Sequence, residues 1–279
     1  MAESPIVELQ NVSLRYRLAR QKVPSFKEFI IHAATGGLSY TDLWALSDID
    51  LTIERGEVLG VVGRNGAGKS TLSKVISGVL KPTKGARHVR GKVSPILELG
   101  TGFDPELTGI ENVYLNALLR GHRRTAIDVK LDSIVEFSGL KDFVHSPVRN
   151  YSTGMVARLG FAVATAWKPD VLVLDEVLSV GDASFLGRCH ERIRSFCNGG
   201  TTVLIVSHSP QEILTHCSRS IWLQEGRIVM EGSPRDVLGA YATAAGDTDT
   251  QALLQATAPP AETPSVESSA PEAPTAATA

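Results

Sequence analysis

Three short apolar runs set the architecture of this chain: GEVLGVV up to Val62, VLVL at 171–174 and TVLIV at 202–206. Each is too short for a buried helix and too continuous for a half-exposed strand, the pattern of strands covered on both faces in a parallel sheet. Two other stretches, 7–16 (VELQNVSLRY) and 45–54 (ALSDIDLTIE), alternate apolar and polar positions as half-buried strands do, and together predict an antiparallel β layer. Between them, 17–43 reads as an insertion whose PSFKEFIIHAA portion spaces Phe26, Phe29, Ile30 and Ala33 as an amphipathic helix would. Helical periodicity returns at 69–77, closed by Gly78, and dominates 108–167, with helices expected at 112–121, 125–138 and 154–167. A helical subdomain inserted at about 100–168 into an α/β core follows from that order.

After Tyr241 the pattern dissolves into Ala, Pro, Thr, Ser and Glu with few large apolar residues. Such a segment buries too little surface to offset the entropy of ordering, so the expected organisation is one domain over 1–242 and a disordered tail over 243–279. With 279 residues, 43% of them hydrophobic, the rest can build a substantial core. The net charge of −2 gives no broad basic footprint, so no nucleic-acid partner is expected. No leader-like N-terminus and no run of about 18 apolar residues is present, which predicts a cytoplasmic chain. Cys189, Cys197 and Cys217 have no C-x-x-C spacing and read as small hydrophobes rather than a disulfide or zinc framework.

The chemistry is carried by motifs at the ends of the apolar runs. Gly63-Arg-Asn65-Gly66-Ala-Gly68-Lys69-Ser70-Thr71 follows one run and opens a helix, a complete G-x-x-x-x-G-K-S phosphate loop. Its glycines let backbone N–H groups surround a triphosphate, Lys69 reaches the terminal phosphates, and the Ser70 hydroxyl ligates Mg²⁺. At the end of the second run, Asp175 and Glu176 stand side by side: one carboxylate to hold the metal, the other to polarise the attacking water.

Between these lies Tyr151-Ser152-Thr153-Gly154-Met155 at a helix start, and with it the chain resembles an ABC ATPase. Ser152 and Gly154 match that family's signature; Tyr151, Thr153 and Met155 depart from it. The resemblance implies that Ser152 and Gly154 complete the γ-phosphate shell of ATP held by a second subunit, giving a homodimer closed around ATP. It also implies a D-loop at Ser179-Val180-Gly181-Asp182, a switch histidine at His208 that completes the catalytic set with Glu176 and Lys69, and an aromatic stacked on adenine. Tyr16 is the first choice for that aromatic, with Tyr40 and Trp44 open because of the insertion. The usual Q-loop glutamine is replaced by a segment in which Glu98 is the nearest polar candidate for the metal.

ELGTGFDPELTGIEN at 98–112, YSTGM, SVGD and the insertion together resemble the subgroup that exports O-antigen, capsular polysaccharide and teichoic acid. That resemblance implies a polytopic membrane-spanning permease as partner, a lipid-linked polysaccharide as indirect substrate, and a peripheral place on the cytoplasmic face of the inner membrane. The tail is too short and too poor in β-forming residues for the carbohydrate-binding sandwich of longer members, so substrate choice is expected to rest with the permease. An importer or small-molecule exporter ATPase would share every catalytic residue. A soluble translation or repair ATPase fits less well, since only one cassette and no sustained heptads are present.

Overall fold

The computed structural model describes residues 4–19, 40–97, 99–176 and 182–257. Nine strands lie in two sheets among these residues. The antiparallel layer has the order β2-β1-β4, with β1 (Val7–Ala19), β2 (Tyr40–Ile53) and β4 (Lys84–Val89). The main sheet has the order β5-β6-β7-β3-β8-β9. Its strands β5 (Val93–Ile96), β6 (Val171–Asp175), β7 (Thr202–Val206), β3 (Val58–Val62) and β8 (Arg219–Gln224) are parallel, and β9 (Arg227–Gly232) turns back on β8. Every residue of β3, β6 and β7 is buried, as their unbroken apolar runs require.

Helix α1 (Lys69–Ile76) packs Leu72, Val75 and Ile76 into a core shared by the antiparallel layer and one face of the main sheet. The other face is covered by α5 (Ala183–Asn198), α6 (Pro210–His216) and α7 (Pro234–Ala245), through Phe185, Ile193, Ile213, Val237 and Leu238. The helical subdomain comprises α2 (Gly109–Leu119), α3 (Arg124–Ser138) and α4 (Thr153–Ala164). Helix α2 starts at a capping box between Thr108 and Glu111, and α3 stops at Gly139 in the left-handed conformation, so both ends are written locally.

Helix α4 joins the two parts. Leu159, Ala162 and Val163 pack among the helices, while Phe161 and Ala164 pack under the main sheet. A helix apolar on both sides is fixed at both, so the motif at its N-terminus is held in register with the strands.

The α/β class, the parallel core, the antiparallel layer and the helical insertion are as the sequence predicts. The tail boundary is not. Helix α8 (Thr248–Ala256) lies within the segment expected to be disordered. The Asp247 side chain caps it, Leu254 packs against the core, and Arg235 donates to the carbonyls of Leu254 (2.6 Å) and Thr257 at its far end. Capping at both ends and one apolar contact suffice to order a short helix whose composition reads as low complexity. The helix expected at 24–34 lies outside the described residues. No helix among the described residues is long and apolar enough to cross a membrane.

Candidate phosphate-binding and hydrolysis site

Sheet order assembles the site. Strands β6, β7 and β3 are neighbours and run parallel, so the Asp175–Glu176 pair, Ser207–His208 and the 63–70 loop emerge side by side at one sheet edge. This is the C-terminal edge, where open parallel sheets bind ligands.

The loop curls through Gly63, Gly66 and Gly68, with φ of 152°, 81° and 105°. A side chain at Gly68 would stand 2.6 Å from the carbonyl oxygen of Ala45, which seats the loop against β2. At Gly66 nothing lies within 4 Å of such a position, so the loop tip is open on that side. Lys69, 5% exposed, donates to the carbonyls of Gly63 (2.8 Å) and Arg64 (3.3 Å). Burial lowers its pKa, opposed by the nearby Glu176 and Asp175.

Asp175 is 8% exposed, and burial raises its pKa against an opposing hydrogen bond from Ser70. Its Oδ1 is buried without a hydrogen-bond partner among the described residues. A desolvated carboxylate oxygen beside a serine hydroxyl is the donor set a hard divalent cation takes, so Ser70 and Asp175 fit Mg²⁺. Glu176 has φ of 56°, a left-handed conformation rare for a non-glycine residue, and its N–H donates to Val206 O (3.0 Å). That turn aims the carboxylate at His208, whose Nε2 lies 2.7 Å from Glu176 Oε1. The histidine is held from behind: Ser207 donates to Glu212 (2.6 Å) and accepts from Ser209 N–H (2.9 Å).

At the signature, Ser152 caps α4 by accepting from Met155 N–H (3.2 Å), so its own hydroxyl proton can still be donated at the helix N-terminus, beside Gly154. Asp182 is engaged within its own chain: it caps α5 through Phe185 N–H (2.9 Å), accepts from Ser184 and pairs with Arg158 of α4. Residues 179–181 of the D-loop and Glu98 lie outside the described residues.

Strand alternation separates the three aromatics. Tyr16 packs towards the core that contains α1. Trp44 lies on the other face under Arg15 and Lys84 (5.6 and 5.2 Å), and Tyr40 lies under Arg17 (5.6 Å). Tyr16 therefore lies on the core-facing side of the layer, opposite Tyr40 and Trp44. Sequence reasoning missed Glu212 and Arg158. A signal for the first existed in Ser209-Pro210-Gln211-Glu212, a helix start with a carboxylate at its third position. None marked the second, because its partner is 24 residues away.

The sequence pattern of the ABC transporter family matches residues 46–179. The O-antigen export system ATP-binding protein RfbB of Klebsiella pneumoniae is 42% identical over 239 residues, covering 85% of this chain and 97% of that protein. The teichoic acids export ATP-binding protein TagH of Levilactobacillus brevis is 38% identical over 241 residues, covering 86% of this chain and 66% of that longer protein. Among solved structures, the dimeric post-hydrolysis state of the ATP-binding cassette MJ0796, bound to ADP and Pi, superposes with a TM-score of 0.65 at 21% identity over 82% of this chain and 98% of that one.

Proposed function

The chain belongs to the ABC transporter family, and from that premise we propose that it is the ATP-hydrolysing subunit of an exporter of a lipid-linked polysaccharide of the O-antigen or teichoic acid kind. What carries the cargo assignment is the 42% identity to an O-antigen export subunit along nearly that protein's whole length. In this reading the chain sits peripherally at the cytoplasmic face of the membrane, forms a homodimer around ATP, and works on a polytopic permease. The nucleotide-binding domain runs past 242 to include α8, which packs against its core.

The chemistry follows from the site. The loop N–H groups and Lys69 bind the triphosphate, and Tyr16 stacks on adenine from the antiparallel layer. Mg²⁺ held by Ser70 and Asp175 would neutralise charge developing on the phosphate oxygens. Glu176 polarises the attacking water, and His208, hydrogen-bonded to its carboxylate, keeps that side chain aimed and senses the γ-phosphate. Ser152 and the α4 N-terminus of one copy complete the phosphate shell of the other. Closure of the dimer, carried through α4 and the helical subdomain, then moves the permease.

Affinity capture of the chain from detergent-solubilised native membranes tests the reading. Co-purification of a polytopic protein with a lipid-linked glycan is expected. A polytopic partner loaded with peptide, metal or drug would overturn the polysaccharide assignment while leaving the ATPase assignment in place.

A further inference from the structure

A second cavity, of about 360 Å³, lies behind the phosphate loop, between its tip, the β8–β9 turn and the C-terminal end of α7. It shares Arg64, Asn65, Gly66 and Ala67 with the phosphate loop. It is lined by the half-buried rings of Trp222 and Tyr241, set edge to face with centroids 5.8 Å apart, and by the exposed residues Arg64, Asn65, Gln224 and Glu225.

None of these six side chains spends a polar atom on another described residue: the indole N–H, the phenol, both amides, the guanidinium and the carboxylate have no hydrogen bond or ion pair within the described chain. Glu225 holds φ of 47°, which fixes where its carboxylate leaves the turn. The volume is at the lower end of small-molecule sites, and Arg64, Asn65, Gln224 and Glu225 are exposed around the rings.

The mixture of groups selects a chemistry. One cation and one anion cancel, which disfavours a strongly charged ligand. Two amides, an indole N–H and a phenol beside an aromatic wall suit a neutral ring with apolar C–H faces and hydroxyls along its edge. We propose that this cavity binds a neutral saccharide of one or two rings and, because Arg64 and Asn65 belong to the phosphate loop, couples its occupancy to nucleotide binding. The coupling is reciprocal: whatever factor the sugar imposes on ATP affinity, ATP imposes on the sugar. The proposal is independent of the cargo assigned above, and its failure leaves the ATPase reading untouched.

The test is saturation-transfer NMR on the full chain with maltose, lactose and chitobiose, without nucleotide and with saturating ATP. Transfer to ring protons of at least one disaccharide is expected, weakened on the order of tenfold by Gln224→Ala and, separately, by Tyr241→Phe, each of which removes a hydrogen-bonding group and leaves the catalytic residues intact. Absence of transfer to any of the three from a folded chain overturns the proposal. So does transfer that survives both substitutions, or transfer that ATP abolishes while Gln224→Ala leaves it unchanged, since the sugar would then occupy the nucleotide site.

Discussion

Asp175 is a carboxyl held where water scarcely reaches it, with one oxygen left without a partner among the described residues. Burial raises its pKa in the folded chain above the unfolded value, so below the unfolded pKa both states are protonated and it costs nothing. As pH rises through the folded pKa, the folded chain must carry a desolvated charge and loses stability. Asp175→Asn is therefore expected to raise the melting temperature of the nucleotide-free chain at neutral pH, with the gain shrinking as pH falls to about 4, while Mg²⁺-dependent turnover is lost. Thermal unfolding of both forms across that range checks the sign; a variant less stable at neutral pH would show that the carboxylate is satisfied within the chain. Glu176→Gln should keep ATP binding and lose turnover by about 10²-fold or more, about 3 kcal/mol of barrier, in a steady-state phosphate-release assay. The paired carboxylates and the lysine are legible in sequence because each motif is local. The 2.7 Å contact between Glu176 and His208 is not, because it exists only once β6 and β7 are neighbours.

Helix α4 meets the 99–103 loop backbone to backbone: a side chain at Gly160 would stand 2.5 Å from Gly100 N. Gly160→Ala forces that contact apart and is expected to cost about 1–3 kcal/mol in urea unfolding, the range for overpacking. The glycine lies mid-helix, where it lowers helix propensity, and it is the close approach that explains it. Arg235→Met is expected to release α8, seen as faster amide exchange over 248–256, with ATP turnover unchanged. The buried strands and the helical insertion are legible because an apolar run bounded by glycine has few alternatives. Helix α8 is not, since Ala-rich sequence with one capping aspartate is ordered only through Arg235 and the core contact of Leu254, both tertiary. Extension of β1 and β2 beyond the predicted 7–16 and 45–54, as far as Ala19 and Tyr40, was hidden for a similar reason: the exposed Leu18 and Leu43 break the alternation.

At the scale of the molecule, the helical subdomain is tied to the main sheet by α4, apolar on both sides, and by Phe137 of α3, with the signature serine at the start of α4. In the proposed function, two copies facing each other use the phosphate loop of one with the α4 N-terminus of the other. The measurement that bears most directly on this account is sedimentation of Glu176→Gln with and without Mg²⁺ and ATP, alone and combined with Ser152→Glu. The account predicts monomer without nucleotide, a stable dimer with it, and monomer again when a carboxylate at position 152 repels the partner's γ-phosphate. A chain that binds ATP yet stays monomeric, or a dimer indifferent to nucleotide and to position 152, would contradict it.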